Sequence, residues 1–518
     1  KCWSECYDAA VSSAFDGLLV RLVVLCCCHL FFFFFLMIRR PPISTLFPYT
    51  TLFRSKFDFF YKTSSSENRQ FVQDVFKKLE RAGHIYENEI IQLYCNTDKK
   101  FLPDRYVVGT CPYCKADDQY SDLCEKCGRV PEEIENPHCA ICGQTPVKKK
   151  TMHYFFKLKN FSDKISQYLE DNKNLQKDVK KYVQNWIKEG LTDWDITRDI
   201  SWGIPIPADG PSEKVFYGWF DNHLAYISST IKFLNDNDID GKKFWNESDI
   251  YHFIGKDIVY HHYLFLPAMR LGIGEEYKLP DYIPTRGHLT LQSKKISKSR
   301  NWYIGLKDFL EIFPADYLRF YLISINPYSQ DDLNFDWDEF ATKINSELIG
   351  NLGNLVNRVL GFTVKSFNSI VPGPDEFDDM DKESEKMINE LVSHLDTLMT
   401  ENHLDRSLKK ILQFSAHFNQ YFQHKEPWKN GPGTNSCIFL SVNAIRSLAI
   451  AIYPFLPESS QKIWSQLGLE GNVSTQMFDE ISSITLKEGH KLGSVSPLFE
   501  KVEESVIEEQ KSKLGASS

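Results

Sequence analysis

Apolar residues recur along the chain with two periods, one typical of helices and one typical of strands. Residues 66–84 repeat an apolar side chain at every fourth position, which predicts an amphipathic helix. Residues 174–190 predict a highly charged helix, whereas residues 151–158 and 250–254 are short apolar runs that predict strands. The alternation of helices and short strands across residues 150–320 indicates an α/β architecture.

From about residue 337 onward the pattern becomes helical. One apolar stripe runs through Phe340, Ile344, Leu348, Leu352, Leu355 and Val359. Further helices are predicted over residues 384–400, 405–424 and 436–466. The predicted fold class is therefore an α/β region followed by an all-α bundle.

Composition narrows the class of protein. The 518 residues are 42% hydrophobic and 25% charged with a formal net charge of −9, which excludes a disordered, collagen-like or disulfide-stapled miniature protein. The acidic balance excludes a purely electrostatic nucleic-acid binder but is compatible with a local basic groove. The 13 cysteines are unevenly spread: five lie within residues 1–28, seven within residues 95–142, and Cys437 stands alone.

The first 55 residues differ from the rest of the chain. Residues 16–38 form a largely apolar segment with one internal arginine, which taken alone would indicate a signal anchor or membrane helix. Residues 37–55, MIRRPPISTLFPYTTLFRS, resemble the in-frame translation of a common sequencing-library adaptor. We therefore expect residues 1–55 to be a non-native artefact, and the native chain to begin near Lys56 with its own N-terminus missing.

Two CxxC motifs with nine residues between them predict a structural zinc site. Each motif presents two thiolates from a tight turn, and two such turns complete a tetrahedral set of four sulfur ligands. A redox-active CxxC or a pair of disulfides would be the alternatives, but a strand–helix context and signs of secretion are both missing. The predicted ligands are Cys111, Cys114, Cys124 and Cys127.

A third CxxC motif, Cys139 with Cys142, needs two further ligands to bind a metal. Cys95 and Asp98 have the same spacing, and a carboxylate oxygen can replace a thiolate on zinc. These four residues predict a second zinc site. In the alternative interpretation, Cys95 is simply buried and the third motif binds nothing.

A short cationic segment is the candidate for chemistry. Lys295 and Lys298 alternate with the hydroxyls of Ser297 and Ser299, and Arg300 follows. Clustered lysines on a closing loop can stabilise the charge that develops on a pyrophosphate. Taken alone, however, a run of lysines more often marks a solvated surface.

The wider set of motifs resembles the class I aminoacyl-tRNA synthetases, specifically the methionyl-tRNA synthetase family of archaeal and eukaryotic cytosolic type. The resemblance runs from about Ser65 to about Gly515. The fold that it implies is a Rossmann-type catalytic domain with a zinc-knuckle insertion, followed by an all-α anticodon-binding bundle. The motifs are SENRQ (66–70), FLPDR (101–105), GTCPYC (109–114), WDITRD (194–199), FYGWFD (216–221), YHFIGKDIVYHH (251–262), KISKSR (295–300), FPADYLRFYL (313–322) and EPW (426–428).

The resemblance implies roles for individual residues of the catalytic half. KISKS resembles the family's KMSKS loop, so Lys295 and Lys298 would act in catalysis, together with Arg198 against the ATP loop. The implied ATP-binding residues are Lys295, Ser297, Lys298, Ser299 and Gly255. The implied methionine-binding residues are Trp219, Tyr226, Asp257 and His262, an aromatic pocket suited to a thioether. The alternatives are an aromatic core pair, a core histidine and a local ion pair between Asp257 and Lys256.

The helical half carries a candidate RNA-reading surface. Asn351, Asn354 and Arg358 fall on one side of a helix, beside the apolar stripe. The family resemblance implies that Asn354, Arg358 and Trp428 recognise a CAU anticodon, with the amide and guanidinium reading base edges and the indole stacking. An ordinary helix surface and a tucked tryptophan are the alternative.

The expected domain boundaries follow from the motifs and the pattern. They are 1–55 for the artefact, 56–94 for the remaining first part of the catalytic domain, 95–150 for the zinc-binding insertion, 151–290 for the second half of the catalytic domain, 291–336 for the KMSKS-like loop and stem-contact region, 337–480 for the anticodon-binding bundle, and 481–518 for a C-terminal tail that packs back.

One family signature is missing. No HxGH motif occurs in the 518 residues, and in the family that motif stabilises the adenylation transition state. The upstream acidic residue that binds the amino group of methionine is missing too. We therefore expect the chain as it stands to be inactive in ATP–pyrophosphate exchange.

The resemblance implies a methionine–tRNA ligase that activates L-methionine with ATP and Mg²⁺ and transfers it to tRNA(Met). We expect one structural Zn²⁺, with a second possible site, and a cytoplasmic monomer without a membrane segment. The alternatives are another class I synthetase, a non-catalytic zinc-containing tRNA-binding module and a membrane-anchored zinc protein. The short zinc-bearing insertion disfavours the leucine, isoleucine and valine enzymes, which carry a large editing insertion.

Overall fold

The computed structural model describes residues 8–14, 21–26, 58–103, 106–121, 133–207, 214–274, 276–297 and 300–515, the first two as backbone only. The described residues divide into two compact units, with the division between Pro284 and Thr285.

The first unit is α/β. Its strands are β1 (Asp8–Ala14), β2 (Arg21–Cys26), β3 (Phe59–Lys62), β4 (Ile85–Cys95), β5 (Lys100–Phe101), β6 (Val107–Thr110), β7 (Gln119–Tyr120), β8 (Glu135–Cys139), β9 (Val147–Phe156), β10 (Trp194–Asp195), β11 (Thr197–Arg198), β12 (Val215–Phe216) and β13 (Asp249–Gly255). Its α-helices are α1 (Ser66–Arg81), α2 (Ser162–Asp171), α3 (Lys177–Glu189), α4 (Gly218–Asn235), α5 (Gly241–Glu247) and α6 (Leu266–Gly272). The predicted elements at 66–84, 151–158, 174–190 and 250–254 are confirmed as α1, β9, α3 and β13.

Strands β13, β2, β1 and β3 lie next to one another in that order in the central sheet of this unit. β13 pairs with β2 in parallel, and the other two pairings are antiparallel. β1 and β2 come from the segment expected to be non-native, so the backbone of that segment takes part in the sheet. Its Val- and Leu-rich run at Arg21–Cys26 has a high strand propensity. The adaptor-like residues 37–55 lie outside the described residues.

A long β-hairpin carries the cysteine-rich insertion. β4 and β9 pair antiparallel from Ile85 opposite Phe156 to Tyr94 opposite Val147. Between them, β6 lies between β7 and β8 in a separate three-stranded sheet. The described CxxC motifs, at Cys111 and Cys139, therefore lie between the two long strands of the hairpin in the chain.

The described part of the second unit contains four short strands and is otherwise mainly helical. The strands are β14 (Thr285–Arg286), β15 (Leu289–Leu291), β16 (Lys294–Lys295) and β17 (Leu333–Phe335). The α-helices are α7 (Leu306–Ile312), α8 (Ala315–Ser324), α9 (Trp337–Lys343), α10 (Asn354–Ser366), α11 (Asp379–Asn389), α12 (Leu391–Thr400), α13 (Leu404–Lys425), α14 (Thr434–Ile452), α15 (Pro457–Gln466) and α16 (Glu504–Ser512).

A π-helical segment, Ile344–Gly353, joins α9 to α10. The sequence explains it, because the apolar stripe advances by four residues at each of its first three steps, and each step overshoots an ideal turn of 100° per residue by about 40°. Wider π turns reduce this drift. All six residues of the stripe are buried.

Two predicted helices are in fact broken. The segment 384–400 contains α11 and α12, and the segment 436–466 contains α14 and α15, with the second break just before Pro457. Proline lacks the N–H that a helix interior requires and fits the first turn of a new helix instead.

One described helix, α14, is long and apolar enough to cross a bilayer, but 94% of its apolar window is buried within the protein. It is the central helix of the bundle core. Of the apolar segment 16–38, only Arg21–Cys26 is described, as a strand.

Candidate functional site

Arg198 is held in a buried charged network. β11 presents the guanidinium over the ring of Tyr217, with 3.8 Å between the guanidinium carbon and the ring centre. Its Nη1 lies 3.2 Å from a carboxylate oxygen of Asp195 and donates to the Thr197 carbonyl at 2.6 Å. Both the stacking and the ion pair fix the direction of the side chain.

His153 organises this network from β9. Its ring is fully buried, with Nδ1 2.8 Å from Asp195 and Nε2 2.8 Å from Asp199. Burial opposes protonation, but the hydrogen bonds to the two carboxylates outweigh it and raise the pKa of His153. Burial likewise opposes ionisation of Asp199, but hydrogen bonds from His153 and Lys214 lower its pKa to about 2. His153 could not be predicted from the sequence, because a lone histidine in a strand belongs to no motif.

The predicted methionine-pocket residues Trp219, Tyr226 and His262 come together. Trp219 and Tyr226 lie two turns apart on α4, and His262 follows β13 in a short π-helical segment, His261–Phe265. The Tyr226 hydroxyl lies 3.3 Å from Nε2 of His262, and the Trp219 ring centre lies 4.0 Å from that of His261. Trp194 contacts both His261 and Tyr217, which connects the pocket to the Arg198 network.

Three further histidines surround this pocket. His223 and His252 are fully buried, and burial lowers the pKa of each well below its ordinary value. Burial lowers the pKa of His261 to about 3. All three rings are therefore neutral at pH 7. The sequence did not predict a role for any of the three, although His252 and His261 both lie within the motif at residues 251–262.

Asp257 and Gly255 lie beside the pocket. Gly255 is the buried last residue of β13, at the carboxyl end of a parallel strand, where ligands of α/β sheets commonly bind. Asp257 is exposed in the turn that follows. Its carboxylate acts on His261 through charge.

The KISKS segment begins at the last residue of a tight hairpin in the second unit. β15 and β16 pair through a turn in which Gln292 and Ser293 both have positive φ. Lys295 is exposed on β16, and Ser297 pairs with Trp302 through two backbone hydrogen bonds. Trp302 in turn donates to the Leu291 carbonyl at 2.8 Å. These bonds close the base of a loop whose two central residues, Lys298 and Ser299, lie outside the described residues.

The second predicted set of metal ligands converges. The ligand atoms of Cys95, Asp98, Cys139 and Cys142 all lie within 4.8 Å of one another. The Asp98 carboxylate lies 3.2 Å from the Cys95 sulfur and 3.1 Å from the Cys139 sulfur. Neighbouring ligands of a tetrahedral Zn²⁺ lie about 3.8 Å apart when each is about 2.3 Å from the ion, so these four residues are compatible with a zinc site.

The first knuckle has the same backbone turn as this one. Lys115 N–H donates to the Cys111 carbonyl as Gly143 N–H does to the Cys139 carbonyl, at 3.0 and 2.8 Å. Lys115 and Gly143 both have positive φ, 57° and 73°. Cys111 and Cys114 thus form a metal-type turn, while Cys124 and Cys127 lie outside the described residues.

The predicted anticodon-reading residues lie on or beside α10 and α13 of the helical bundle. The Arg358 guanidinium on α10 lies 5.2 Å from the ring centres of both Trp428 and Phe422. Trp428 is 41% exposed and follows Glu426, which has a positive φ of 45°. The surface therefore combines a cation with an accessible indole.

Two side-chain amides of α13 hold the predicted anticodon-reading side chains in place. Asn354 donates to the Asn419 amide oxygen at 2.9 Å, and Arg358 donates to the Gln423 amide oxygen. Asn351 instead donates to the Leu412 carbonyl at 2.8 Å and ties α13 to the π-helical segment. The sequence did not reveal Asn419 or Gln423, because pairing between distant helices leaves no local pattern.

Family models match both halves of the chain. One described as "tRNA synthetases class I (M)" matches residues 48–360, and one described as "Anticodon binding domain of methionyl tRNA ligase" matches residues 371–518.

Curated relatives carry the name methionine–tRNA ligase. The protein from Methanopyrus kandleri is 41% identical over 455 residues, covering 86% of this chain and 66% of the relative. Those from Methanosphaera stadtmanae and Pyrococcus furiosus are 37% and 39% identical, covering 88% and 87% of this chain and 69% and 64% of the relatives. The chain thus spans about two thirds of the length of the curated relatives it matches.

A solved structure has the same fold. The Mycobacterium tuberculosis methionyl-tRNA synthetase bound by methionyl-adenylate aligns with a TM-score of 0.72 at 22% identity, over 88% of this chain and 86% of that chain. The predicted fold class, a class I synthetase catalytic domain followed by a helical anticodon-binding domain, is confirmed. With one family model covering more than half of the sequence and relatives of 37–41% identity aligning over most of it, the chain belongs to the methionyl-tRNA synthetase family of class I aminoacyl-tRNA synthetases.

Proposed function

We propose that this chain supplies the substrate-binding and anticodon-binding parts of a methionine–tRNA ligase. Such an enzyme activates L-methionine with ATP and Mg²⁺ and then transfers it to tRNA(Met). The observation that carries the proposal is the aromatic and histidine pocket of Trp219, Tyr226 and His262, which lies in a chain whose two halves match the two family models in order.

Within this function, each part of the catalytic half has a distinct task. Trp219 and Tyr226 hold the thioether side chain between polarisable rings. Arg198, kept in place by Asp195 and Tyr217, stabilises negative charge on the nucleotide, as do Lys295 and Lys298 on their loop. Ser297, Ser299 and the backbone at Gly255 complete the ATP-binding set, and Asp257 remains a candidate ligand at the pocket rim.

The metal sites have a structural task in this proposal. Three thiolates and the Asp98 carboxylate hold one Zn²⁺, and Cys111, Cys114, Cys124 and Cys127 hold another. Zinc bound in this way would cross-link the segments around the three-stranded sheet beyond the β4–β9 hairpin, where the apolar core is small.

The helical half reads the anticodon. Asn354 and Arg358 contact base edges while Trp428 stacks on an unstacked base. The domain boundaries proposed from the sequence separate this bundle, residues 337–480, from the KMSKS-like region, residues 291–336. We also propose that the protein acts as a monomer in the cytoplasm, where tRNA, methionine and ATP are all present.

The test is ATP–pyrophosphate exchange by two chains. Because no HxGH motif occurs in the 518 residues, this chain should show no methionine-dependent exchange. A companion chain, in which residues 1–55 are replaced by the corresponding HxGH-bearing segment of a relative, should gain exchange with methionine and not with leucine. Exchange by the original chain at the companion's rate would contradict the assignment of the missing motif.

A second candidate function is a non-catalytic zinc-containing tRNA-binding module, favoured by the missing HxGH motif. The same experiment separates the two functions. A companion chain that binds tRNA with a CAU anticodon but exchanges pyrophosphate with no amino acid would support the module and reject the ligase.

A further inference from the structure

The ring nitrogens of His262 already have hydrogen-bond partners within the protein. Nδ1 of His262 lies 3.0 Å from the Ile258 carbonyl oxygen, and Nε2 lies 3.3 Å from the Tyr226 hydroxyl. A carbonyl oxygen can only accept, so Nδ1 donates to Ile258, and Nε2 pairs with the Tyr226 hydroxyl. Both ring nitrogens of His262 are therefore engaged within the protein, and the ring orients Tyr226.

His223 is in a different state. It follows Trp219 by four positions and precedes Tyr226 by three, so all three lie on one face of α4. Its ring centre lies 5.4 Å from that of Trp219 and 4.8 Å from that of His262. The side chain is 0% exposed, and among the described residues neither ring nitrogen has a hydrogen-bond partner.

An unpaired N–H in such a position is costly. A buried imidazole must carry at least one N–H, and buried donors in folded proteins are almost always paired. Burial lowers the pKa of His223 well below its ordinary value, and the adjacent histidines add to this. The ring is thus a neutral donor that faces aromatic groups, which suits a weak and polarisable acceptor better than a carboxylate.

We propose that His223 is a specificity-determining residue, whose imidazole N–H donates to the thioether sulfur of the amino acid held between Trp219 and Tyr226. This inference rests on the proposed function, because it assumes that the pocket binds methionine. Norleucine has the same length as methionine but a methylene in place of sulfur, so its binding would leave the N–H unpaired. A pocket that binds by shape alone would separate the two poorly.

The experiment measures the affinities of the full chain for L-methionine and L-norleucine by isothermal titration calorimetry. The wild-type chain should prefer methionine by about fivefold, the ratio expected for one neutral hydrogen bond. His223→Phe keeps a ring without an N–H and should bring the ratio close to one. His223→Gln keeps an amide N–H and should retain part of the preference.

The control variant is His84→Phe. His84 is a partly buried histidine of the same unit whose ring packs at 4.8 Å against Phe161, and it lies outside the pocket. This variant should keep the wild-type ratio of affinities for methionine and norleucine. That result would show that the loss of any histidine from the unit does not by itself change the ratio.

The outcomes separate the inference from the function it rests on. A folded His223→Phe chain that keeps the wild-type preference overturns the role of His223 alone. If the wild-type chain binds neither amino acid, the same titrations are made with and without His223→Phe on the companion chain that carries the HxGH segment, and no binding there overturns the proposed function as well. If His223→Phe does not fold, ¹⁵N-histidine NMR of the wild-type chain, assigned with His223→Gln, decides. The His223 N–H resonance should move with methionine and not with norleucine, and equal shifts would overturn the proposal.

Discussion

His153 shows how one buried side chain can set the geometry of another. Its two nitrogens engage Asp195 and Asp199, and Asp195 in turn pairs with Arg198. The positive ring compensates two carboxylates that would otherwise repel each other within a partly buried loop. The orientation of Arg198 therefore depends on His153, which acts on it through Asp195.

Replacement of His153 should make stability less dependent on pH. Because the pKa of His153 is raised in the folded chain, its stabilising effect is full below the ordinary pKa of about 6.5 and is lost as the pH rises through the raised value. His153→Gln should cost about 3 kcal/mol at pH 6, the scale for breaking a buried ion pair. The difference in Tm from the wild type should narrow at pH 9. Scanning calorimetry measures it, and the exposed His424→Gln serves as control.

A second residue-level prediction concerns Trp428. If the indole stacks on an anticodon base, Trp428→Ala should weaken binding of a CAU-anticodon tRNA by about tenfold, since one stacked base contributes about 1–3 kcal/mol. Binding of the same tRNA with an altered anticodon should change little. Fluorescence anisotropy measures both. Val364→Ala, which removes an exposed apolar side chain from α10, should have no effect, and equal weakening of both tRNAs by Trp428→Ala would contradict the reading role.

At the scale of elements, the sequence predicted what depends on local pattern. The apolar run 250–254 predicted β13 because polar residues or glycine bound it on both sides. The spacing of the cysteines predicted the set of ligands Cys95, Asp98, Cys139 and Cys142, which the structure brings together. The long helix predicted over 436–466 was wrong, because apolar periodicity continues across the break before Pro457. His153, His223, Asn419 and Gln423 could not be predicted, since their importance comes from burial and from partners far away in the chain.

The metal knuckles give a prediction at this scale. If both sites bind zinc, the purified chain should contain two equivalents, and Cys139→Ser should contain one. Loss of that metal should lower the Tm, because the small three-stranded sheet beyond the hairpin depends on it. Elemental analysis measures the zinc content. Cys437→Ala, which alters a buried cysteine of the bundle, should leave it unchanged, and an unchanged content in Cys139→Ser would reject the second site.

A glycine fixes the approach of the strands in the second unit. A methyl group on Gly287 would lie 1.9 Å from the Asp331 carbonyl oxygen, where β15 and β17 begin to pair. Gly287→Ala should therefore destabilise the protein by about 1–3 kcal/mol. Gly361→Ala is the matched control, because Gly361 lies within α10 with nothing within 4 Å of the added carbon. That variant should be neutral or stabilising by up to about 1 kcal/mol, and urea unfolding compares the two.

On the scale of the whole chain, residues 502–515 fold back onto the start of the second unit. Gly515 N–H donates to the Asn301 carbonyl at 2.8 Å, and Lys511 on α16 pairs with Asp338 on α9. Ile507 and Val502 contribute to the core of the same unit. Residues more than 200 positions apart thus meet at the base of the KISKS loop.

Removal of residues 504–518 should release this loop. Trypsin should then cleave after Lys298 or Arg300 several times faster, because Asn301 loses its backbone partner and the buried face of α9 is uncovered. Mass spectrometry of timed digests identifies the cut. Removal of residues 516–518 alone keeps Gly515 and should leave the rate unchanged, and an equal rate in the longer deletion would show that the tail does not restrain the loop.

The presence of Asp98 among three thiols also has a spectroscopic consequence. A carboxylate replaces a thiolate at the same formal charge, so the Cys95–Asp98–Cys139–Cys142 set and a four-cysteine set would carry the same net charge around a divalent ion. With cobalt in place of zinc, the two sets would differ in absorption, because each thiolate ligand adds one sulfur-to-metal charge-transfer contribution to the spectrum. The two knuckles of this insertion, alike in backbone turn, would then be distinguishable by the intensity of their near-ultraviolet absorption, in the ratio of three sulfurs to four.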